Sequence, residues 1–147
     1  MTMPIISAGL AGFMLVLQQI LMMSAGMRRA KTRIGVGFDG DPTLERLVRR
    51  HGNLAENAAI FVVALALLEI LGGANMTVLW LAGLFLAARL LHMFSFGSLA
   101  GSHGGKYAKE NGAVFGLMRA AGSILTALVG IATGGYLVLI AWQALAA

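Results

Sequence analysis

Four long apolar stretches, nearly free of charge, constrain this chain more than any other feature. They cover residues 4–26, 54–71, 76–97 and 113–144. Each is near the ~20 residues that a helix needs to cross the ~30 Å hydrocarbon layer of a membrane. Helices are the predicted form, because backbone exposed to lipid must satisfy its own hydrogen bonds.

Composition supports a membrane protein. The 147 residues are 59% hydrophobic and 12% charged, whereas an average soluble domain is about 45–50% apolar and about 25% charged. So few charges cannot cover a soluble globule, which excludes a soluble enzyme domain, a disordered tail and a fibrous protein. We predict an all-α integral membrane protein, a bundle of four transmembrane helices, with residues 1–147 as a single domain.

The second helix is predicted to begin before its apolar stretch. Asp41 is a good N-cap residue, and Pro42 suits the first helical position. Gly72 and Gly73 favour its end. The predicted helices therefore cover residues 4–26, 42–71, 76–97 and 113–144.

Basic residues mark one side of the membrane. The net charge is +5, from 11 Lys+Arg against 6 Asp+Glu. The segments 27–52 and 98–112 carry most of the basic residues, and both chain ends carry none. The positive-inside rule makes these two segments cytoplasmic and places both termini outside. Because the charges flank apolar helices, we expect no nucleic-acid partner.

Polar residues inside the helices are candidates for function, because they are costly in lipid and usually face a bundle interior. Glu56, Arg89 and Arg119 fall in the cytoplasmic halves of three helices, whereas Glu69 lies near the outer surface and is expected to cap there. The chain has no cysteine, so a thiolate metal site and a cysteine nucleophile are excluded, and no metal site is predicted.

Helical spacing places Arg49, Asn53 and Glu56 on one face of the second helix. Arginine suits carboxylates, and a carboxylate suits an ammonium group. A ligand with both groups, such as an amino acid or a small peptide, would match this face. The alternative is structural, since Glu56 could instead neutralise Arg89 or Arg119 inside the bundle.

The segment 49–56, Arg-Arg-His-Gly-Asn-Leu-Ala-Glu, resembles the R-x-x-x-N-x-x-E segment of the membrane-associated proteins in eicosanoid and glutathione metabolism (MAPEG). Residues 27–30 are similar to the paired arginines that follow the first helix in this family. Residues 88–92, Ala-Arg-Leu-Leu-His, resemble its third helix. The form of these motifs is most similar to the small bacterial members, which implies a bacterial inner membrane.

The resemblance implies a homotrimer of four-helix subunits that binds glutathione as co-substrate between neighbouring subunits, near the cytoplasmic side. It implies that one helix face holds the carboxylate and amino groups of the peptide, that a neighbouring subunit adds two arginines, and that the third helix lines the wall. The resemblance gives the peptide-binding face as Arg49, Asn53 and Glu56. It gives the two arginines of the neighbouring subunit as Arg28 and Arg29, and the residues of the third helix as Arg89 and His92.

A further arginine near the start of the fourth helix stabilises the glutathione thiolate in the family. A nearby cation lowers the pKa of a thiol and raises its thiolate fraction. The resemblance points to Arg119 as this catalytic residue, with Lys106 and Lys109 as rivals because the segment 98–112 aligns poorly.

Two functions follow from the sequence. The resemblance favours an enzyme, a glutathione-dependent transferase or peroxidase that acts on lipophilic electrophiles or hydroperoxides arriving from the membrane lipids. The alternative is a non-catalytic scaffold or lipid-binding bundle with a structural Arg/Glu network. The chain departs from the family's enzymes at three positions, with Asn57 and Phe96 in place of tyrosines and Ala59 in place of a proline.

Overall fold

A computed structural model describes residues 3–99 and 112–146 as four α-helices. They are α1 (Ile5–Thr32), α2 (Pro42–Gly72), α3 (Met76–Ser95) and α4 (Gly112–Ala146). All four are long and apolar enough to cross a membrane. The predicted all-α architecture with four membrane-spanning helices is therefore confirmed.

The helix ends follow from local chemistry. The α2 helix begins at Pro42, where the Asp41 side chain accepts hydrogen bonds from the backbone N–H groups of Thr43 and Leu44. The α1 helix continues past the predicted residue 26 to Thr32 and ends where Arg33 adopts a left-handed conformation, with φ of 58°. Its last turns are basic, and cations stabilise the negative end of the helix dipole.

The core lies between the first three helices. The α1 helix packs against α2 with side chains such as Met14, and Phe61 of α2 stacks on Phe85 of α3 with ring centroids 3.7 Å apart. The α4 helix buries few residues, which are Gly122, Val129 and Thr133. Most of its apolar surface is thus left on the outside of the subunit.

Two contacts fix the bundle at its opposite ends. At one end, the carboxylate of Glu69 accepts hydrogen bonds from the N–H groups of Ile6 and Ser7 at the start of α1, as expected for a cap. Near the other end, α4 crosses α3 at Gly122. A Cβ atom added there would lie 2.8 Å from the backbone nitrogen of His92 and 2.9 Å from the Ala88 carbonyl oxygen. The two helix backbones are therefore too close at this point for any residue larger than glycine to fit without a shift.

Candidate functional site

The polar face of α2 is open. The exposed Arg49 pairs with Glu45 one turn earlier, at 3.3 Å between Nε and Oε1. Asn53 donates through Nδ2 to the Arg49 carbonyl oxygen, at 3.0 Å. Glu56 is exposed, and its carboxylate forms no hydrogen bond or ion pair within residues 3–99 and 112–146. The face predicted to bind a zwitterionic ligand therefore presents an unpaired carboxylate.

Arg89 lies deep between three helices. Only 3% of the Arg89 surface is exposed. Its Nη1 donates to the Asn53 carbonyl oxygen of α2 at 3.1 Å, and its Nη2 donates to the Thr126 hydroxyl of α4 at 2.5 Å. Its Nε atom is buried and has no hydrogen-bond partner among residues 3–99 and 112–146. All its recorded polar partners are neutral, so the guanidinium charge is not compensated within the described chain.

Thr126 is a site residue that the sequence analysis missed. Its hydroxyl donates to the Gly122 carbonyl oxygen at 2.7 Å while it accepts from Arg89. A threonine commonly satisfies its hydroxyl on its own helix in this way, so it does not stand out in an apolar stretch. The sequence did offer one indication of its role, because Thr126 lies two helical turns after Arg119 and therefore on the same face of α4.

A cavity of about 450 Å³ lies between α2, α3 and α4 beside Arg89. It brings together three of the predicted site residues, Asn53, Arg89 and His92. Its remaining walls include the small polar side chains of Asn57, Ser123 and Thr126. Arg49 and Glu56 are not part of its lining; they lie on the exposed face of the same α2 helix.

Arg119 lies near the end of α3, on a separate depression. Its guanidinium carbon is 4.3 Å from the centroid of the Phe96 ring, and its buried Nε atom has no hydrogen-bond partner in the part of the chain that the structure describes. The Phe96 ring is tilted against His92 at 5.2 Å, and the Phe96 carbonyl accepts from Arg46. Glu45, Arg46 and Arg119 line this depression, which measures about 130 Å³. A cation whose Nε donor is unused among the described residues suits a small anionic group.

Arg28 and Arg29 hold the segment that follows α1. Arg28 donates through Nε to the Asp41 carboxylate at 2.8 Å. Arg29 donates through Nη1 to the carbonyl oxygens of Ile34, Gly35 and Gly37, each at 3.1 Å. The Arg28 guanidinium holds the pKa of Asp41 below its ordinary value. Both arginines are thus engaged within their own chain, and within the described residues these bonds use only Nε of Arg28 and Nη1 of Arg29.

The structural alternative for Glu56 is not realised within one chain. In the described ranges the ion pairs are Arg28–Asp41 and Arg49–Glu45, and Glu56 contacts neither Arg89 nor Arg119. The rival thiol-activating residues, Lys106 and Lys109, lie outside the described residues. Within residues 3–99 and 112–146, the charges of Glu56, Arg89 and Arg119 therefore have no oppositely charged partner.

Comparison with known proteins identifies the family. The model of the MAPEG family matches residues 5–146, nearly the whole chain. A comparison with curated proteins finds no match. Together with the four apolar helices, the family match makes this chain an integral membrane protein that belongs to the MAPEG family, the membrane-associated proteins in eicosanoid and glutathione metabolism.

Proposed function

We propose that this protein is a membrane-embedded, glutathione-dependent transferase or peroxidase that works as a homotrimer. The observation that carries the proposal is the open α2 face, where the Glu56 carboxylate has no partner among the described residues and shares the face with Arg49 and Asn53. A charged side chain within a membrane helix is costly unless something pairs with it. Glutathione offers an ammonium group to Glu56 and a carboxylate to Arg49.

The neighbouring subunit completes this proposed site with Arg28 and Arg29. A guanidinium has five N–H donors, and the bonds that these residues make in their own chain use Nε of Arg28 and Nη1 of Arg29. The other donors are available for a carboxylate of a ligand on an adjacent subunit. Arg89 and His92 would line the wall at α3, as the family resemblance implies.

Arg119 is the proposed catalytic residue. Its cation would stabilise the glutathione thiolate, and the thiol proton would leave to solvent. With an electrophile, the thiolate forms a carbon–sulfur bond directly, without a covalent enzyme intermediate. It either displaces a leaving group, which departs with the bonding electron pair, or adds to an activated double bond, whose carbanion then takes a proton from solvent. With a hydroperoxide, it takes the terminal oxygen to give a sulfenic acid and an alcohol, and a second glutathione then releases water and the disulfide.

The proposed substrate routes follow from the membrane. Glutathione would reach the basic side from the cytoplasm, and a lipophilic electrophile or hydroperoxide would arrive through the bilayer. The resemblance to the small bacterial members favours a bacterial inner membrane. The basic segment 27–52 favours a cytoplasmic position, which would place both termini outside the cytoplasm.

Ligand-dependent thermal stability tests the proposal. A ligand that binds only the folded protein adds about 2.7 kcal/mol at a hundred times its Kd, so glutathione should raise the Tm of the purified protein. Glu56→Gln should remove this rise, whereas Asp39→Asn, in an exposed turn outside the α2 helix, should keep it. Arg119→Gln should keep the rise in Tm and lower thiol conjugation by about 10²–10³, the loss typical of one electrostatic group.

Two results separate the proposal from the scaffold alternative. A scaffold predicts that Glu56→Gln lowers the Tm equally with and without glutathione. If the wild-type protein shows neither a glutathione-dependent rise in Tm nor turnover with a thiol and an electrophile or hydroperoxide, the enzyme proposal is wrong.

A further inference from the structure

Two long polar side chains face outwards within the apolar spans of one subunit. Gln19 lies in the apolar stretch 4–26 of α1 and Glu56 in the stretch 54–71 of α2, and both residues are exposed. Neither side chain forms a hydrogen bond or an ion pair with residues 3–99 and 112–146. Because a polar group that faces lipid is costly in a membrane helix, we expect both to have a partner beyond the described residues.

Gln19 and Glu56 lie at similar depths in the bundle. At one end of the α1–α2 pair, the Glu69 carboxylate accepts from the Ser7 N–H. Gln19 is 12 residues after Ser7, and Glu56 is 13 residues before Glu69, so these distances differ by about 2 Å. Further along, the His51 side chain lies 2.7 Å from that of the residue before Gln19, and Glu56 follows His51 by five residues, or about 8 Å. The two levels thus differ by about 2–8 Å, which two long, flexible side chains can bridge.

A ring of subunits brings these two levels together. Rotation about an axis along the membrane normal leaves depth unchanged, so the Gln19 of a neighbour keeps the level that it has in its own chain. Gln19 and Arg29 share one face of α1, through Met22 and Gly26 at steps of three and four residues. The proposed function already turns this α1 face, with its Arg29, towards the α2 face of the next subunit that carries Glu56.

The α2 face has the shape to receive a helix. Ala59 and Val63 follow Glu56 by three and seven residues and form one wall of an apolar groove of about 400 Å³ between α1 and α2. Much of the remaining wall is alanine, at residues 11, 55 and 58. Small residues let the backbone of a second helix approach closely within a membrane, so a helix seated along this face would run past Glu56.

We propose that α1 of one subunit packs along this α2 face of the next, and that its Gln19 carboxamide donates a hydrogen bond to the Glu56 carboxylate. A carboxylate has two acceptor oxygens, so Glu56 keeps one for the ammonium group of a ligand. Gln19 is thus a positioning residue, because it holds the carboxylate and does not touch the thiol. The inference rests on the homotrimer of the proposed function and names a residue that the neighbour adds to the shared site.

Cross-linking tests this contact in a background without other thiols, because the chain has no cysteine. One chain carries Gln19→Cys and a longer, tagged chain carries Glu56→Cys. The two full-length chains are co-expressed in membranes and treated with a short bifunctional thiol reagent. A mixed dimer should be the main product, and it can form only between subunits because no single chain holds both thiols.

The matched control replaces Glu56→Cys by Leu67→Cys. Leu67 is exposed on the same face of α2 but lies 11 residues further along, which is about 16 Å along the helix axis. This pair should give at least about tenfold less mixed dimer, because thiols beyond reach of each other cannot be bridged.

An exchange of charge tests the hydrogen bond itself. Gln19→Glu sets two carboxylates against each other and should reduce the fraction of trimer that survives in mild detergent, measured by native mass spectrometry. The double variant Gln19→Glu/Glu56→Gln again places a carboxamide opposite a carboxylate, so it should recover most of that fraction. If the two residues act separately, their losses should instead add.

Three results would overturn the proposal. The first is mixed dimer from the Leu67→Cys pair in the same yield as from the Glu56→Cys pair, or from neither. The second is a main product that joins two Glu56→Cys chains, which would set two α2 faces against each other. The third is additive losses in the double variant.

A second pair of cysteines separates this inference from the proposed function. Mixed dimer between Arg29→Cys and Arg49→Cys chains, without any between Gln19→Cys and Glu56→Cys chains, would keep the shared site and reject the contact of Gln19. No glutathione is present in these experiments, so failure of the contact leaves the expected rise in Tm with glutathione untouched. Mixed dimer in a protein that does not bind glutathione would support the contact and reject the enzyme.

Discussion

Glu69 shows how one charged residue is accommodated inside this bundle. It is 0% exposed, yet its two oxygens accept from the N–H groups of Ile6 and Ser7, at 3.0 and 2.8 Å, and from the Ser7 hydroxyl at 2.6 Å. The first N–H groups of a helix have no partner within it and carry partial positive charge. The carboxylate of α2 therefore satisfies the start of α1.

We expect Glu69→Ala to lower the free energy of unfolding by about 1–3 kcal/mol, the penalty for a buried polar group that loses its partner. Glu69→Gln should cost less, because one acceptor oxygen remains. Glu45→Ala is the control, since an exposed ion pair such as its pair with Arg49 is worth about 0–1 kcal/mol. Unfolding in mixed micelles followed by circular dichroism measures the difference, and equal losses for both alanine variants would contradict this role.

The residues of the candidate site were only partly predictable. Charged residues in apolar stretches stand out, so the sequence identified Arg89, Arg119 and Glu56, and helical spacing placed Glu56 on the same face of α2 as Arg49 and Asn53. That this face is exposed, rather than turned to the bundle interior, was not predicted. Spacing within one helix does not say which carbonyl or hydroxyl of another helix will be a partner. The bonds from Arg89 to Thr126 and to the Asn53 carbonyl therefore became visible only once α2, α3 and α4 were packed.

At the scale of the elements, one glycine sets the approach of α4 to α3. A Cβ atom on Gly122 would lie within 3.0 Å of three atoms, which are the backbone nitrogen of His92, the Cβ atom of His92 and the carbonyl oxygen of Ala88. Because two of these neighbours are backbone atoms, the helices would have to separate. Arg119 and Thr126 lie one turn before and one turn after this crossing, so a separation would move the site on both sides.

We expect Gly122→Ala to destabilise the protein by about 1–3 kcal/mol, as overpacking of a close contact does. The matched control is Gly116→Ala on the same helix, where a Cβ atom meets nothing within 4 Å. That change should be neutral or stabilising by up to about 1 kcal/mol, because alanine favours helix over glycine. Thermal unfolding of the two variants measures the contrast, which a similar loss at both positions would refute.

The four helices themselves were predictable because apolar length and lipid impose them, and the α2 start was predictable from Asp41 and Pro42. The end of α1 was not. The apolar pattern stops near Gly26, but the helix runs on to Thr32, where the arginines of its last turns bond to Asp41 and to the carbonyls of Ile34, Gly35 and Gly37. These contacts depend on the fold of the following segment, which hydropathy does not report.

At the scale of the whole molecule, a single chain exposes both apolar and charged side chains that its own packing does not cover. Large apolar side chains on all four helices are exposed, which suits lipid, but the exposed Glu56 and Arg49 on α2 do not. In a closed ring each subunit presents one surface to the neighbour on one side and a different surface to the neighbour on the other. A proposed site shared between the α2 face of one subunit and the α1 arginines of the next would fit such a ring.

Mixed assemblies test that sharing directly. Arg29→Gln spoils one half of the proposed site and Glu56→Gln spoils the other, so each homotrimer should lose glutathione binding. When the two variants are co-expressed at equal levels, a site is intact only where a subunit with Glu56 meets a neighbour with Arg29, which random assembly gives for about one site in four. Calorimetry should then recover about a quarter of the wild-type binding stoichiometry in the mixture. If both halves came from one chain, no mixed trimer would contain an intact site, and the recovered binding would be zero.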